Sequence, residues 1–353
     1  MNILADLHHA DLYYSLQLLF EKRLQCCLYR PIGLEWWKEG FWHVYNHPAT
    51  AEQYLGLYQA HKIPTDIRGQ PLPESARLNA HYRFEDGIYY IADPTKDSIV
   101  NRGITLDKFK EMKFDILISS IPQHIGPFNR LIESYQPQAK HIFQVGNAWG
   151  NPGGVKNILS STSSFTVPSD INTCFYHQEF DLSDFNPPID NRVHTFSIKS
   201  FIHCMQSKSE MNTLASELGE WWNCRSYGAN MEDSVSKTKD LATLMKSSGF
   251  IFHVKPGGDG YGHSLHNAFA CGKPVITRSS HYRGKLGEQL FTHGVTCIDL
   301  DQCSMNEAVE MLRTWAQPNI YPIISNQVYT RFKQLVDFDK EEQQIRQFLT
   351  NLR

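Results

Sequence analysis

The sequence lacks any Cys-x-x-Cys pair. Its eight cysteines are scattered, apart from the adjacent Cys26 and Cys27. That spacing argues against a zinc ribbon or a redox dithiol, and for reduced thiols in a cytoplasmic protein. No stretch approaches the ~18 consecutive apolar residues of a membrane span. The opening Met1-Asn2-Ile3-Leu4-Ala5-Asp6 has neither the basic start nor the apolar core of a signal peptide. Charge of one sign is also missing. Lys plus Arg number 34 against 37 Asp plus Glu, a net −3, and no long basic run argues for general nucleic-acid affinity. There is no repeat of fixed short period, no Gly-Lys-Ser/Thr at Walker spacing, and no good Gly-x-Gly-x-x-Gly.

What is present is ordinary globular material, 41% apolar and 20% charged over 353 residues. This is long for one domain and comfortable for two. Asn2–Ala5 reads as a first strand, and Leu12, Leu16, Leu19 and Phe20 follow at helical spacing. Cys27–Arg30 makes a second strand. Asp86-Gly87 is the turn of a hairpin between Tyr82–Phe84 and Ile88–Tyr90. The spacing then predicts a strand at Phe114–Ser119, a helix at Phe128–Tyr135, a strand at His141–Val145 and a loop at Gly146–Gly154. Asp181–Arg192, with Asn186-Pro187-Pro188, reads as a linker. Beyond it come a strand at Thr195–Ile202, helices at Met211–Trp222 and Asp240–Met245, and a strand at Phe250–Val254. A helix at Ser264–Ala270, a strand at Pro274–Thr277, and helices at Asn306–Trp315 and Lys340–Leu352 complete the pass. Strands alternating with helices imply an α/β protein with parallel sheets.

The richest run is Phe250–Thr277. A strand leads into Gly257, Gly258, Gly260 and Gly262, and a helix starts near His263 or Ser264. Glycines allow positive φ and close approach of a ligand to the backbone. A helix N-terminus offers free N–H groups and partial positive charge, which suits a diphosphate. Ser264 is placed to cap the helix or touch phosphate. Asp259 is placed to bond sugar hydroxyls, and Asn267, one turn in, to reach a ribose.

From Asp259-Gly260-Tyr261-Gly262 through Asn267-Ala268, Ala270, Gly272 and Pro274-Val275-Ile276, this run resembles the donor-binding motif of GT-B glycosyltransferases. It is most like the retaining family-4 (glycosyltransferase group 1) type. In that motif an acidic-Gly-aromatic-Gly start is followed by Glu-Ala-x-Ala-x-Gly-x-Pro-Val-Ile. Here Asp259 stands where glutamate is usual, and Asn267 replaces the glutamate that binds the nucleotide ribose. The resemblance implies two Rossmann-like domains facing across a cleft. Residues 1–190 would be the acceptor side and 191–335 the nucleotide-sugar donor domain, with 336–353 a helix packing back on the first. It also implies a diphosphate-neutralising arginine and lysine after the first strand of the second domain. Lys208 fits the lysine, and His203 falls at the arginine position. Arg278, Arg283 and Lys285 are alternative sources of charge.

On the acceptor side the resemblance points to loops after strands. Asp6, His8 and His9 follow the first. A general base there, His8 foremost, serves an inverting reaction; a retaining one needs none, and these residues would only position substrate. His124 follows the strand ending near Ser120. Asn147 follows the strand ending at Val145, where the family often has histidine. Trp36, Trp37, Phe41, Trp42 and Tyr45 are either core or lid, or a stacking surface for a sugar or base.

The expected reaction is transfer of a hexose from a nucleotide-diphosphate sugar to a hydroxyl acceptor, which is a glycan, a small molecule or a modified nucleobase. Asp259 orients the sugar, and Lys208 with the Gly257–Ser264 loop holds the diphosphate. No Asp-x-Asp stands in a strand-end context, so no metal and no cofactor are expected beyond the sugar nucleotide itself. Three rivals share the architecture: a nucleotide-sugar 2-epimerase, a phage-type DNA-base glucosyltransferase, and a non-catalytic sugar-nucleotide-binding protein.

Overall fold

Two mainly parallel sheets organise the chain. The computed structural model describes residues 1–6, 10–41, 83–92, 100–146, 153–162, 169–190, 194–202, 205–228, 233, 235, 237–257 and 260–353. By contacts the chain divides into two units. Unit 1 holds residues 1–160, 166–179 and 340–353; unit 2 holds 161–165 and 180–339.

Unit 1 contains β1 (Asn2–Ala5), β2 (Cys27–Pro31), β3 (Arg83–Glu85), β4 (Ile88–Ala92), β5 (Val100–Ile104), β6 (Ile116–Ser119), β7 (Lys140–Val145), β8 (Asn157–Ser160) and β9 (Asn172–Phe175). They form one sheet in the order β3-β4-β5-β2-β1-β6-β7-β8-β9. From β5 to β9 every pairing is parallel; the hairpin β3–β4 is antiparallel at one edge. Its turn is the Asp86-Gly87 pair, with φ of 49° and 77°, as a two-residue hairpin turn requires. The central strands alternate sharply between two cores. Ile3, Ala5, Leu28, Ile116 and Ile118 face one, and Leu4, Tyr29 and Leu117 face the other. Strands buried on both faces read as continuous apolar runs, which is why Ile116–Ser119 was legible.

Helices α1 (Ala10–Gln17), α2 (Leu34–Lys38), α3 (Leu106–Glu111) and α4 (Ile125–Tyr135) flank this sheet. Past Gln17, α1 continues as a π-turn over Leu18–Arg23, ending on a Leu24 N–H bond to the Leu19 carbonyl. Trp36 and Phe41, both fully buried, stack edge-on and join Phe109 and Phe128 in the core. Trp36 donates its indole N–H to the Ile104 carbonyl at 2.6 Å. These two aromatics are core and offer no stacking surface. Trp42 and Tyr45 lie outside the described residues, as does the Trp37 side chain.

Unit 2 contains β10 (Ser197–Ser200), β11 (Asn223–Ser226), β12 (Phe250–Phe252), β13 (Val275–Thr277) and β14 (Cys297–Asp299), all parallel, in the order β11-β10-β12-β13-β14. Its helices are α5 (Met205–Leu218), α6 (Thr238–Lys246), α7 (His263–Ala270), α8 (Met305–Trp315) and α9 (Tyr321–Leu335). Phe250, Ile251, Phe252, Val275 and Ile276 are all sealed, each contributing about 2 kcal/mol of burial. Helix α9 packs tightly on the end of α7. A Cβ on Gly272 would lie 2.9 Å from Ser325 Oγ, and that hydroxyl donates to the Gly272 carbonyl.

The helix read at Met211–Trp222 starts at Met205 and ends at Leu218. Gly219, at φ 85°, stops it. The segment read as a linker from Asp181 begins inside unit 2. Phe180 and Phe185 are core residues there, and Phe180 packs on Phe332 and Phe338. The last helix, α10 (Phe338–Thr350), places Ile345 and Phe348 in the core of unit 1. Glu341 accepts the His177 backbone N–H, and Arg23 bridges Glu179 and Glu342.

Candidate functional site

In unit 2 the strand order reverses between β10 and β12. The chain first steps to β11 on one side, then runs through β12, β13 and β14 on the other. Ligands of open parallel sheets bind outside the carboxyl ends of strands at such a reversal. The glycine-rich segment leaves β12 there. Gly257 and Gly262 have φ of 73° and 80°; Gly258 and Asp259 lie outside the described residues. Gly260 is buried. Gly262 is the N-cap of α7, and its carbonyl accepts from the amides of Leu265 and His266. A Cβ at Gly262 would lie 3.0 Å from Leu265 Cδ1. Both the backbone angle and the packing select glycine.

Helix α7 therefore opens with the amides of His263 and Ser264, first-turn groups that a helix cannot satisfy within itself. Ser264 is half-buried at the second helical position and is not the cap. Tyr261, expected among the donor contacts, turns its ring inward. It is 2% exposed and stacked on His266 at 4.0 Å, nearly parallel. His266 Nδ1 donates to the Gly262 carbonyl at 3.0 Å. This stack braces the turn. Asn267 is 7% exposed, and its Oδ1 is sealed without a hydrogen-bond partner. An unpaired buried acceptor costs about 1–3 kcal/mol until a donor reaches it.

The nearby charges sort themselves by their partners. Arg278 bonds Glu210, Asp301 and the Leu300 carbonyl, at 2.9–3.1 Å. Arg283 is exposed. Lys285 is buried, and its Nζ donates to the carbonyls of Gly257, at 2.7 Å, and His281, at 2.9 Å. It ties Gly257 to the His281 turn, a role invisible without the fold. Lys208 is half-buried in the first turn of α5, which follows β10; His203 lies outside the described residues.

Unit 1 has its own reversal, between β1 and β6. Asp6 leaves β1 and His124 follows β6, and the structure joins them. His124 Nδ1 and Asp6 Oδ2 are 2.6 Å apart, with the two residues 2% and 3% exposed. The Ser120 amide donates to Asp6 Oδ1 at 2.8 Å, and the Ser120 hydroxyl donates to the same oxygen. The 3₁₀ turn Pro122–His124 swings the imidazole back over β1, and Phe41 packs on it at 5.0 Å. A carboxylate only accepts, so Nδ1 carries the proton, and in the neutral ring Nε2 keeps its lone pair. His8, His9 and Asn147 lie outside the described residues.

Behind this pair a second histidine is locked neutral. His141 bonds Ser119 Oγ through Nε2 and Asn129 Oδ1 through Nδ1, each at 2.7 Å. Burial pushes its pKa down to about 4, against the pull of Asp6. Between about pH 6.5 and 4 the unfolded chain takes up a proton that the folded one refuses. Stability therefore falls as pH falls through that window, by at most about 1.4 kcal/mol per pH unit. Above pH 6.5 this contribution is flat. Urea midpoints at pH 6.5 and 4.5 should converge in His141→Asn relative to wild type. An unchanged difference would show that the ring titrates normally.

No protein-family model matches the chain, and no curated protein matches it. Solved structures do. Anabaena HepE, crystallised with UDP and glucose, superposes with a TM-score of 0.62 at 11% identity over 100% of both chains. An α-glucosyltransferase bound to UDP-glucose and abasic DNA gives 0.60 at 9% over 99% of each. Sucrose-phosphate synthase from Thermosynechococcus elongatus gives 0.58 at 9% over 98% of each. The chain thus has the GT-B fold throughout its length. Among the described residues no helix is long and apolar enough to cross a membrane.

Proposed function

We propose that the chain is a cytoplasmic glycosyltransferase that moves a hexose from a nucleotide-diphosphate sugar to a hydroxyl acceptor without a metal. The observation that carries the reading is the sealed, unpaired Oδ1 of Asn267, one turn into α7 at the strand-order reversal of unit 2. A ribose hydroxyl supplies the missing donor. The α7 amides, Lys208 and His203 neutralise the diphosphate, with Lys285 tied to Gly257 of the glycine-rich segment. Charge develops on the leaving diphosphate, so donors fixed in advance lower the barrier. Asp259 orients the sugar. Structures similar in fold hold UDP or UDP-glucose, which makes UDP-glucose the first donor to try.

On the acceptor side, Asp6 fixes the His124 tautomer and leaves Nε2 to take the acceptor proton, and His8, His9 and Asn147 are further candidates for acceptor contacts. A base of this kind belongs to an inverting reaction, so the product anomer tests it directly. A retained anomer would reduce the pair to positioning.

A thermal-shift screen of UDP, GDP, ADP and TDP with their sugar conjugates tests the donor site. A ligand at a hundredfold excess over its Kd stabilises by ~2.7 kcal/mol, and one nucleotide series should stand out. Turnover in excess EDTA should match the untreated enzyme. A loss that added Mg²⁺ or Mn²⁺ restores would overturn the metal-free mechanism.

A further inference from the structure

Arg30 sits near the carboxyl end of β2, on the face it shares with Leu28 and that α1 covers. It is 4% exposed; its Nε is sealed without a hydrogen-bond partner, and no ion pair among the described residues includes it. Tyr13 of α1 is 3% exposed, and its hydroxyl is likewise sealed and unpartnered. The two are close enough for the Arg30 charge to act on that hydroxyl, which burial keeps protonated far above its ordinary range. Glu21, the carboxylate that also acts on Tyr13, is already engaged by Arg102 and by the Leu28 amide. A buried N–H left without an acceptor is costly, by about 1–3 kcal/mol.

Acceptors lie on the same face. Gln17 is one helical turn beyond Tyr13 and reaches the Val100 carbonyl with its amide nitrogen. Asn101 is the next residue of β5, whose Gly103 pairs with Arg30. Gln17 Oε1 and Asn101 Oδ1 are both sealed without a partner. Two unpartnered donors, Arg30 Nε and the Tyr13 hydroxyl, and two unpartnered acceptors, Gln17 Oε1 and Asn101 Oδ1, thus lie on the α1 side of the sheet.

We infer that Arg30, Tyr13, Gln17 and Asn101 form a binding site for a hydroxylated anion, a sugar phosphate or sugar acid, which is the acceptor or the part of it that anchors to unit 1. This rests on the reading of unit 1 as the acceptor side. Arg30 and Tyr13 take the phosphate or carboxylate oxygens, and the two amide oxygens accept hydroxyls.

The test is calorimetric titration of the full chain with glucose 6-phosphate, glucuronate and inorganic phosphate, each with saturating UDP present. One of the two sugar anions should bind at one equivalent and better than inorganic phosphate. Arg30→Gln should weaken it at least tenfold, and Tyr13→Phe, which keeps the ring and the packing, severalfold. UDP affinity should be unchanged in both variants. Equal binding by wild type and Arg30→Gln, or binding of none of the probes by wild type, overturns the site. Arg30-dependent binding of a sugar anion by a chain that ignores UDP would instead sink the transferase reading and leave the site standing.

Discussion

Asp6→Asn is expected to cut turnover about a thousandfold while leaving the fold intact. The carboxylate accepts the Ser120 amide, the Ser120 hydroxyl and the Nδ1–H of His124. Asparagine has the same shape and keeps one oxygen for the Ser120 amide. Its NH₂ group, however, faces Nδ1 with a proton. The imidazole must then accept at Nδ1 and carry its proton on Nε2, the wrong tautomer for a base. Loss of a correctly held base tautomer costs about three to four orders of magnitude in systems built this way. Asp6→Ala is a different experiment. It strands buried donors from Ser120 and His124 and should destabilise unit 1 by about 3 kcal/mol or more. Steady-state kcat at saturating donor, with circular dichroism on the same sample, separates the two. Turnover near wild type in a folded Asp6→Asn protein would remove His124 from the chemistry.

Gly262→Val is expected to raise the Kd for the donor nucleotide at least thirtyfold, about 2 kcal/mol. A β-branched residue at φ 80° is strained whatever its surroundings. The added side chain also starts 3.0 Å from Leu265 Cδ1. Relief requires the first turn of α7 to shift, and the amides of His263 and Ser264 move with it. Those amides gain nothing from flexibility, because phosphate recognition by backbone depends on their being fixed beforehand. The Tyr261–His266 stack and the Lys285 bond to Gly257 hold the rest of the loop, so the lesion stays local. Calorimetric titration with UDP, alongside a thermal melt, measures the effect. Wild-type affinity in a folded variant would mean that α7 does not carry the phosphates.

Much of this architecture could be read before the fold was seen, and the reasons are local. The Phe250–Ala270 run places a strand, four glycines and a helix in one stretch of chain, so its chemistry travels with its sequence. The β1 and β6 strands announced themselves as apolar runs because both faces are buried. What stayed hidden depends on distance along the chain. Asp6 and His124 are 118 residues apart, and the sequence offered them only as separate candidates. Lys285 and Arg278 looked equivalent until their partners, 28 and 68 residues away, tied one to the Gly257 carbonyl and the other to Glu210. Strand β11, Asn223–Ser226, carries alternating burial on a polar sequence at a sheet edge, and no hydrophobic signal marked it. Helix α9 did have a signal, in Tyr321, Ile324, Val328 and Phe332 on one face, which went unread. The inward turn of Tyr261 was not legible either, since its stacking partner is set by the N-cap geometry of Gly262.

The claim on which the rest depends is that unit 2 binds a nucleotide-diphosphate at the start of α7. Amide hydrogen exchange of the full chain, with and without saturating UDP, tests both the binding and its place. The account predicts slowed exchange in peptides spanning residues 257–270, with the first turn of α5 around Lys208 protected as well. Slowed exchange elsewhere in the chain with 257–270 unchanged, or no protection by UDP, GDP, ADP or TDP, would contradict it.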